Sequence, residues 1–215
     1  MDTLKTGDLL LFNNESSGWF GNFTSMIKWG THSNYSHVGM ILKNPSFIHP
    51  SLKGLYLWES SYNGTEDPQD GKIKLGVQIT PLDTIIKEYK KSGGKIFIRK
   101  LKYMNDNNDS SCDNLIYKNI FNDEKLKEIH SIVYNKPYDI VPTDWLSAFF
   151  NYDISPQKTS RFWCSALVGY IYTKLDILVE KTDWSILKPN NFSLDGEDLN
   201  YTGLCKLENL EIRLL

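Results

Sequence analysis

FWCSALVGYIY, residues 162–172, is an unbroken apolar run with a thiol, Cys164, near its start. It reads as the beginning of a buried helix that ends near Leu175. Thr159 and Ser160 precede it and are N-capping residue types, which places Cys164 in or near the first turn. There the unpaired backbone N–H groups and the helix dipole favour a thiolate, and the same groups can bind an oxyanion. Ser165, Ala166 and Gly169 are small, which permits close helix packing and access to the thiol. The usual fate of a free Cys is that of a small buried hydrophobe. Position, rather than residue type, is what marks this one.

A nucleophilic thiol needs a base. The chain has four histidines, His32, His37, His49 and His130. His130 falls beside apolar positions of an expected helix and reads as packing. His49 lies in the turn-like FIHPS, and His32 lies in a loop. His37, in YSHVGM (35–40), begins an expected strand and has the most ordered setting. A third group should orient the imidazole. Glu59, at the end of LYLWE (55–59), is the candidate, since that strand is expected beside the His37 strand.

The remaining elements follow from pattern. GDLLLF (7–12), HVGMIL (37–42), LYLWE, Val77–Thr80, KIFIRKL (95–101) and LEIRLL (210–215) read as strands. Trp19, Phe20, Phe23, Met26 and Ile27 recur at helical spacing over residues 19–30. That stripe predicts a helix packed on the core, or a lipid- or substrate-facing surface. Pro81 opens a helix with Leu82, Ile85, Ile86 and Tyr89 on one face. A further helix is expected over 123–134 with Leu126, Ile129 and Val133 as its stripe, and a short one over 145–150. Residues 60–72 and 151–160 read as polar loops. MNDNNDSSCDN (104–114) reads as a polar surface loop or insertion with Cys112 a bystander. The whole predicts one α+β domain over 1–215, with the Cys-bearing helix packed against the sheet that carries His37.

Bulk properties narrow the class. The chain has 215 residues, 40% hydrophobic and 23% charged, with a net charge of −2. It has no basic patch with interleaved aromatics, so nucleic acid is not an expected partner. Its apolar stretches are too short to span a membrane, and MDTLKTGDLL lacks the features of a secretory signal. The three cysteines, Cys112, Cys164 and Cys205, are widely spaced, which argues against a disulfide framework and for an intracellular setting. The Asn-x-Ser/Thr sequons at Asn22 and Asn63 read as chance. His32, His37 and Cys164 have no metal-site spacing, and no metal or other cofactor is expected.

The order YSHVGM, LWES, KPYD (136–139), WCSALVGYIY resembles the circularly permuted papain-like cysteine enzymes. These are the YiiX/YaeF-type relatives of the NlpC peptidoglycan hydrolases, and they include virus-encoded members. GDLLLF and DWSILKPNNFS (183–193) also match that group, and the similarity covers most of the chain outside 104–114. The resemblance implies a permuted papain-like fold, an antiparallel sheet or partial barrel packed against the Cys helix. It implies Cys164 as nucleophile, His37 as base and Glu59 as the acidic third member. Tyr138, in KPYD, would be a tyrosine close to the thiol. Many members carry an acidic residue after Cys-Ser, where this chain has Ala166. The expected activity is that of a thiol-dependent peptidase or amidase working through an acyl-enzyme on an amide or ester. A lipid acyltransferase or phospholipase-like enzyme with peripheral membrane contact, and a non-catalytic binding module, are the alternatives. A virus-encoded member would be intracellular or virion-associated.

Overall fold

Short leucine- and isoleucine-rich runs broken by Gly, Asn and Pro can bury themselves only by pairing, and they form an antiparallel sheet. The structure, a computed structural model, describes residues 3–13, 34–105, 110–139 and 157–215. In chain order the strands are β1 (Leu9–Asn13), β2 (His37–Lys43), β3 (Leu55–Ser61), β4 (Glu66–Asp67), β5 (Lys72–Ile73), β6 (Gly76–Pro81), β7 (Lys95–Tyr103) and β8 (Cys205–Arg213). The helices are α1 (Leu82–Ser92), α2 (Ser110–Ile120), α3 (Asp123–Val133) and α4 (Cys164–Lys174). Six strands make one sheet in the order β6-β3-β2-β1-β7-β8, all antiparallel, and β4 and β5 pair separately. The fold is mixed α+β, as the pattern of runs predicts. Among the described residues no helix is long and apolar enough to cross a membrane.

The central strands lack clean polar–apolar alternation because both faces of the sheet are covered. Val38, Met40 and Leu42 of β2 join Trp58 of β3 and the α4 residues Leu167, Val168 and Ile171 in the larger core. Ile41 of β2, Leu57 of β3, and Leu10 and Phe12 of β1 face the other way, under Leu82 and Ile85 of α1. Each such side chain taken out of water contributes about 1.5–3 kcal/mol before conformational entropy is subtracted. Strand alternation therefore puts His37 and Glu59 on the α1 face, although α4 packs on the opposite face.

Local chemistry ends the elements where expected. Pro81 precedes α1, Asp83 sits in its first turn, Lys90 and Lys91 in its last, and Gly93 closes it in the left-handed region (φ 71°). Asn122 caps α3 by accepting the Lys125 N–H at 2.9 Å, and Leu126, Ile129 and Val133 are buried as predicted. Gly7 has φ 99°, and a Cβ there would lie 2.2 Å from the Phe121 ring, so only glycine fits before β1. The Asp8 carboxylate beside it accepts the backbone N–H groups of Lys5 and Leu101, while burial pushes its pKa up to about 6.

Four expectations need correction. The second half of the expected loop 104–114 is helical, because α2 begins at Ser110 and carries Cys112. Ile116, Tyr117 and Ile120 supply its apolar side, beyond the polar stretch that dominates the composition. The C-terminal strand starts at Cys205, five residues before LEIRLL, and its buried Cys205 and Leu207 anchor it. The polar segment 60–72 is not wholly loop, since it contains β4 and the first residue of β5. The Thr159/Ser160 cap is the fourth and is treated with the site. The expected helices over 19–30 and 145–150, His32 and most of the loop 151–160 lie outside the described residues.

The DWSILKPNNFS stretch backs α4. It forms two 3-10 turns, Trp184–Ile186 and Pro189–Phe192. The Leu187 carbonyl accepts the Ser165 hydroxyl at 2.7 Å and the Trp163 indole N–H at 3.2 Å. A Cβ on Gly169 would stand 2.5 Å from Leu187 Cδ1 and 3.1 Å from Trp184 Cβ. Gly169→Val is therefore expected to cost about 1–3 kcal/mol by overpacking, despite the better helix propensity of Val. A thermal melt reads this as a lower Tm, and an unchanged Tm would mean that Leu187 moves aside freely.

Candidate active site

The β2–β3 ladder ends at the pair Met40–Trp58, although both strands continue past it. In the splay beyond this last pair, side chains from opposite faces of the sheet can meet. The N-terminus of α4 is tied there, because Ser60 of β3 donates its hydroxyl to the Phe162 carbonyl at 2.7 Å. Cys164 is the first residue of α4 and is 3% exposed. Its N-cap is Trp163, whose side chain makes no capping bond, so Thr159 and Ser160 stand too far upstream to cap. The correction strengthens the helix-end argument, since the thiol sits at the first helical position itself.

His37 reaches this thiol. The imidazole and the thiol are close enough for charge and hydrogen bonding to couple them, and the backbone N–H groups of Val38 and Ser165 stand near the sulfur and favour its charged form. The other side of the imidazole is taken by Glu59, whose Oε2 lies 2.7 Å from His37 Nε2. With Nε2–H donating to the carboxylate, Nδ1 is left to face Cys164. Phe12 packs on the imidazole, its centroid 5.2 Å away. The His37 side chain keeps 16% exposure and Glu59 3%. One edge of the histidine is thus wet and its carboxylate is sealed.

Electrostatics pull the pair apart in protonation. Burial alone would push the Cys164 thiol up, but the charge and hydrogen bond of His37 and the two backbone N–H groups hold it below the ordinary thiol value. Burial likewise disfavours the imidazolium, yet the thiolate and Glu59 raise the His37 pKa to about 10. Each partner favours the charged form of the other, so the coupling acts toward a thiolate–imidazolium pair. Cys205 is fully buried and its thiol is pushed up to about 12 by burial alone. The same residue type with no imidazole and no helix N-terminus is inert.

Tyr138 closes one side. Its backbone N–H donates to the Leu75 carbonyl at 3.2 Å, and a short parallel bridge pairs it with Phe162: the Asp139 N–H donates to the Phe162 carbonyl and the Phe162 N–H to the Pro137 carbonyl, each at 3.1 Å. Arg161 pairs with Asp139 at 3.2 Å across this bridge. The turn thereby docks between β6 and the lead-in to α4. The Tyr138 hydroxyl lies near Cys164, and burial followed by the thiolate charge pushes its pKa well up, so it stays a neutral donor.

The chain matches no protein-family model and no curated protein.

All four residues singled out in the sequence, Cys164, His37, Glu59 and Tyr138, meet at this point. Glu59 lies within β3 rather than at its end, because the strand continues to Ser61. His49 is exposed and bonds only locally to Ser51. His130 packs against Phe47, Trp58 and Tyr134 and bonds to Gln69 Oε1, which agrees with its reading as packing. Among the described residues no group of three or more His, Cys, Asp or Glu side chains is placed to hold a metal ion.

Sequence reasoning missed Thr80, Asn63, Phe12 and Tyr89. Thr80 and Asn63 both donate to Glu59, and Tyr89 of α1 stacks on Phe12 at 4.8 Å, close enough to Glu59 and Cys164 to feel their charge. The one available signal was VQITP (77–81), where Gln78 and Thr80 alternate with apolar residues. That alternation reads as a solvent face, but both are 1% exposed.

Proposed function

We propose that the protein is a thiol-dependent hydrolase of the peptidase or amidase class, acting on an amide or ester through an acyl-enzyme. The observation that carries this reading is His37, bonded to Glu59 at 2.7 Å and close enough to the Cys164 thiol to couple with it, with the thiol at a helix N-terminus. The order of parts, with the His strand early and the Cys helix late, supports a permuted papain-like fold.

In the proposed reaction the Cys164 thiolate attacks the substrate carbonyl carbon. The carbonyl oxygen gains the negative charge, and two donors are near it: the first-turn N–H groups of α4 and the Tyr138 hydroxyl. Collapse of the intermediate breaks the bond to the leaving group, which takes the Nδ1 proton of the His37 imidazolium and leaves a thioester. Neutral His37 then accepts a proton from water, whose oxygen attacks the thioester. Thiolate and imidazolium are restored as the acid departs. Glu59 stays bonded to Nε2 throughout and holds the ring in place.

Activated acyl esters and peptide anilides test this, with intact-mass analysis of the protein during turnover. The expected result is a transient acyl adduct on Cys164. In Cys164→Ala the adduct is absent and turnover falls by at least about 10³-fold. A folded protein whose Cys164 takes no acyl group while the partly exposed Cys112 does would exclude the reading. Hydrolysis should follow a bell. Its acid limb lies below the ordinary thiol range, where Cys164 becomes protonated, and its alkaline limb falls near pH 10, where His37 loses the proton it must donate.

A further inference from the structure

We propose that Thr80 and Asn63 are positioning residues that hold the Glu59 carboxylate aimed at His37. The inference rests on the reading of Cys164 and His37 as an active ion pair.

The hydrogen-bond directions are determined. Asn63 Oδ1 accepts both the backbone N–H of Thr65 at 2.9 Å and its hydroxyl at 2.7 Å. That fixes which end of the amide is which, so Nδ2 faces inward. Nδ2 donates to Thr80 Oγ1 at 2.7 Å and to Glu59 Oε1 at 3.2 Å. Thr80 Oγ1, already an acceptor, sends its own hydrogen to Glu59 Oε1 at 2.8 Å. Oε1 therefore receives two neutral donors, while Oε2 receives His37.

These donors are needed because of where Glu59 sits. Glu59 is buried, so its carboxylate depends on protein groups for its hydrogen bonds. The groups that face it are His37 from β2, Thr80 from β6, Asn63 from the turn after β3 and Tyr89 from α1. Of these only His37 can be cationic. The Thr80 and Asn63 hydrogen bonds to Oε1 fix the carboxylate in the orientation that leaves Oε2 on His37. Without them the carboxylate would be free to swing off the imidazole, the imidazolium would lose its aligned countercharge, and the thiol would take its proton back at higher pH.

The test follows alkylation of Cys164 by iodoacetamide in the full chain as a function of pH, read by peptide mass spectrometry. It needs no substrate. Thr80→Val is expected to move the acid limb up by about one pH unit, so that the rate at the wild-type half-point falls about fivefold. The plateau rate at higher pH should be unchanged. Asn63→Ala should move the limb the same way by less, and Thr80→Ser should restore the wild-type profile. A purely structural role would lower Tm without moving the limb. Should Thr80→Val fail to fold, Asn63→Ala, on a half-exposed turn, decides alone. Folded variants with the wild-type limb would overturn this inference and leave the ion pair standing. A wild-type protein with no depressed limb would instead remove the proposed function itself.

Discussion

His37→Ala is expected to slow alkylation of Cys164 at pH 7 by on the order of 10²-fold and to move its acid limb above the ordinary thiol range. The thiol is buried, which by itself disfavours the thiolate, and His37 makes the largest contribution that opposes burial. Without the imidazole only the Val38 and Ser165 N–H groups remain at the sulfur, apart from the Tyr138 hydroxyl. The sign is therefore upward, past the free-thiol value of about 8.5. Hydrolysis should fall further than alkylation, because the leaving group also loses its proton donor. Equal rates for His37→Ala and the wild-type protein at pH 7 would mean that the helix N-terminus alone makes the thiolate.

The second large effect concerns stability. Arg99 is fully buried in β7, with its Nη2 2.6 Å from Glu197 Oε2 and its Nη1 3.2 Å from the Phe192 carbonyl. Glu211 of β8 stands 3.9 Å from Nη1 and accepts the Tyr35 hydroxyl, while Tyr201 donates to Glu197 at 2.8 Å. Arg99→Leu keeps the apolar volume but leaves two carboxylates facing each other without a cation. Removing one partner of a buried pair typically costs about 3–5 kcal/mol. Urea unfolding at pH 7 should show a loss of that order. A loss below about 1 kcal/mol would mean that the Tyr35 and Tyr201 hydroxyls and solvent suffice for the carboxylates.

The parts of the fold legible in the sequence are those set by local chemistry. HVGMIL, LYLWE and KIFIRKL are strands because runs of that length cannot be buried otherwise, and Pro81 and Gly93 bracket α1 through backbone geometry. Helix α2 was obscured because its first turn is polar and low in complexity, and its burial comes from Ile116, Tyr117 and Ile120 further on. Arg99 inside KIFIRKL gave no hint of its acidic partners, which lie a hundred residues away in sequence and meet it only through the β7–β8 pairing and the 3-10 turns.

The site divides in the same way. Cys164 was legible because a thiol opening an apolar helix is an unusual placement, and His37 because it opens a strand. Their meeting depends on the β2–β3 splay, which no local pattern encodes. Thr80 and Asn63 were hidden because a buried threonine on a strand looks like a solvated one, and an Asn-Gly-Thr turn looks like any other turn. Only the tertiary arrangement shows that both point at the same carboxylate oxygen.

The central claim is that Cys164 is held as a thiolate by His37 in the resting protein. The pH dependence of Cys164 alkylation in the unmodified wild-type chain tests it most directly. A thiolate plateau that begins well below pH 8 and extends through neutrality is the predicted result. A single titration at about 8.5 or above, as for an isolated or merely buried thiol, would contradict it.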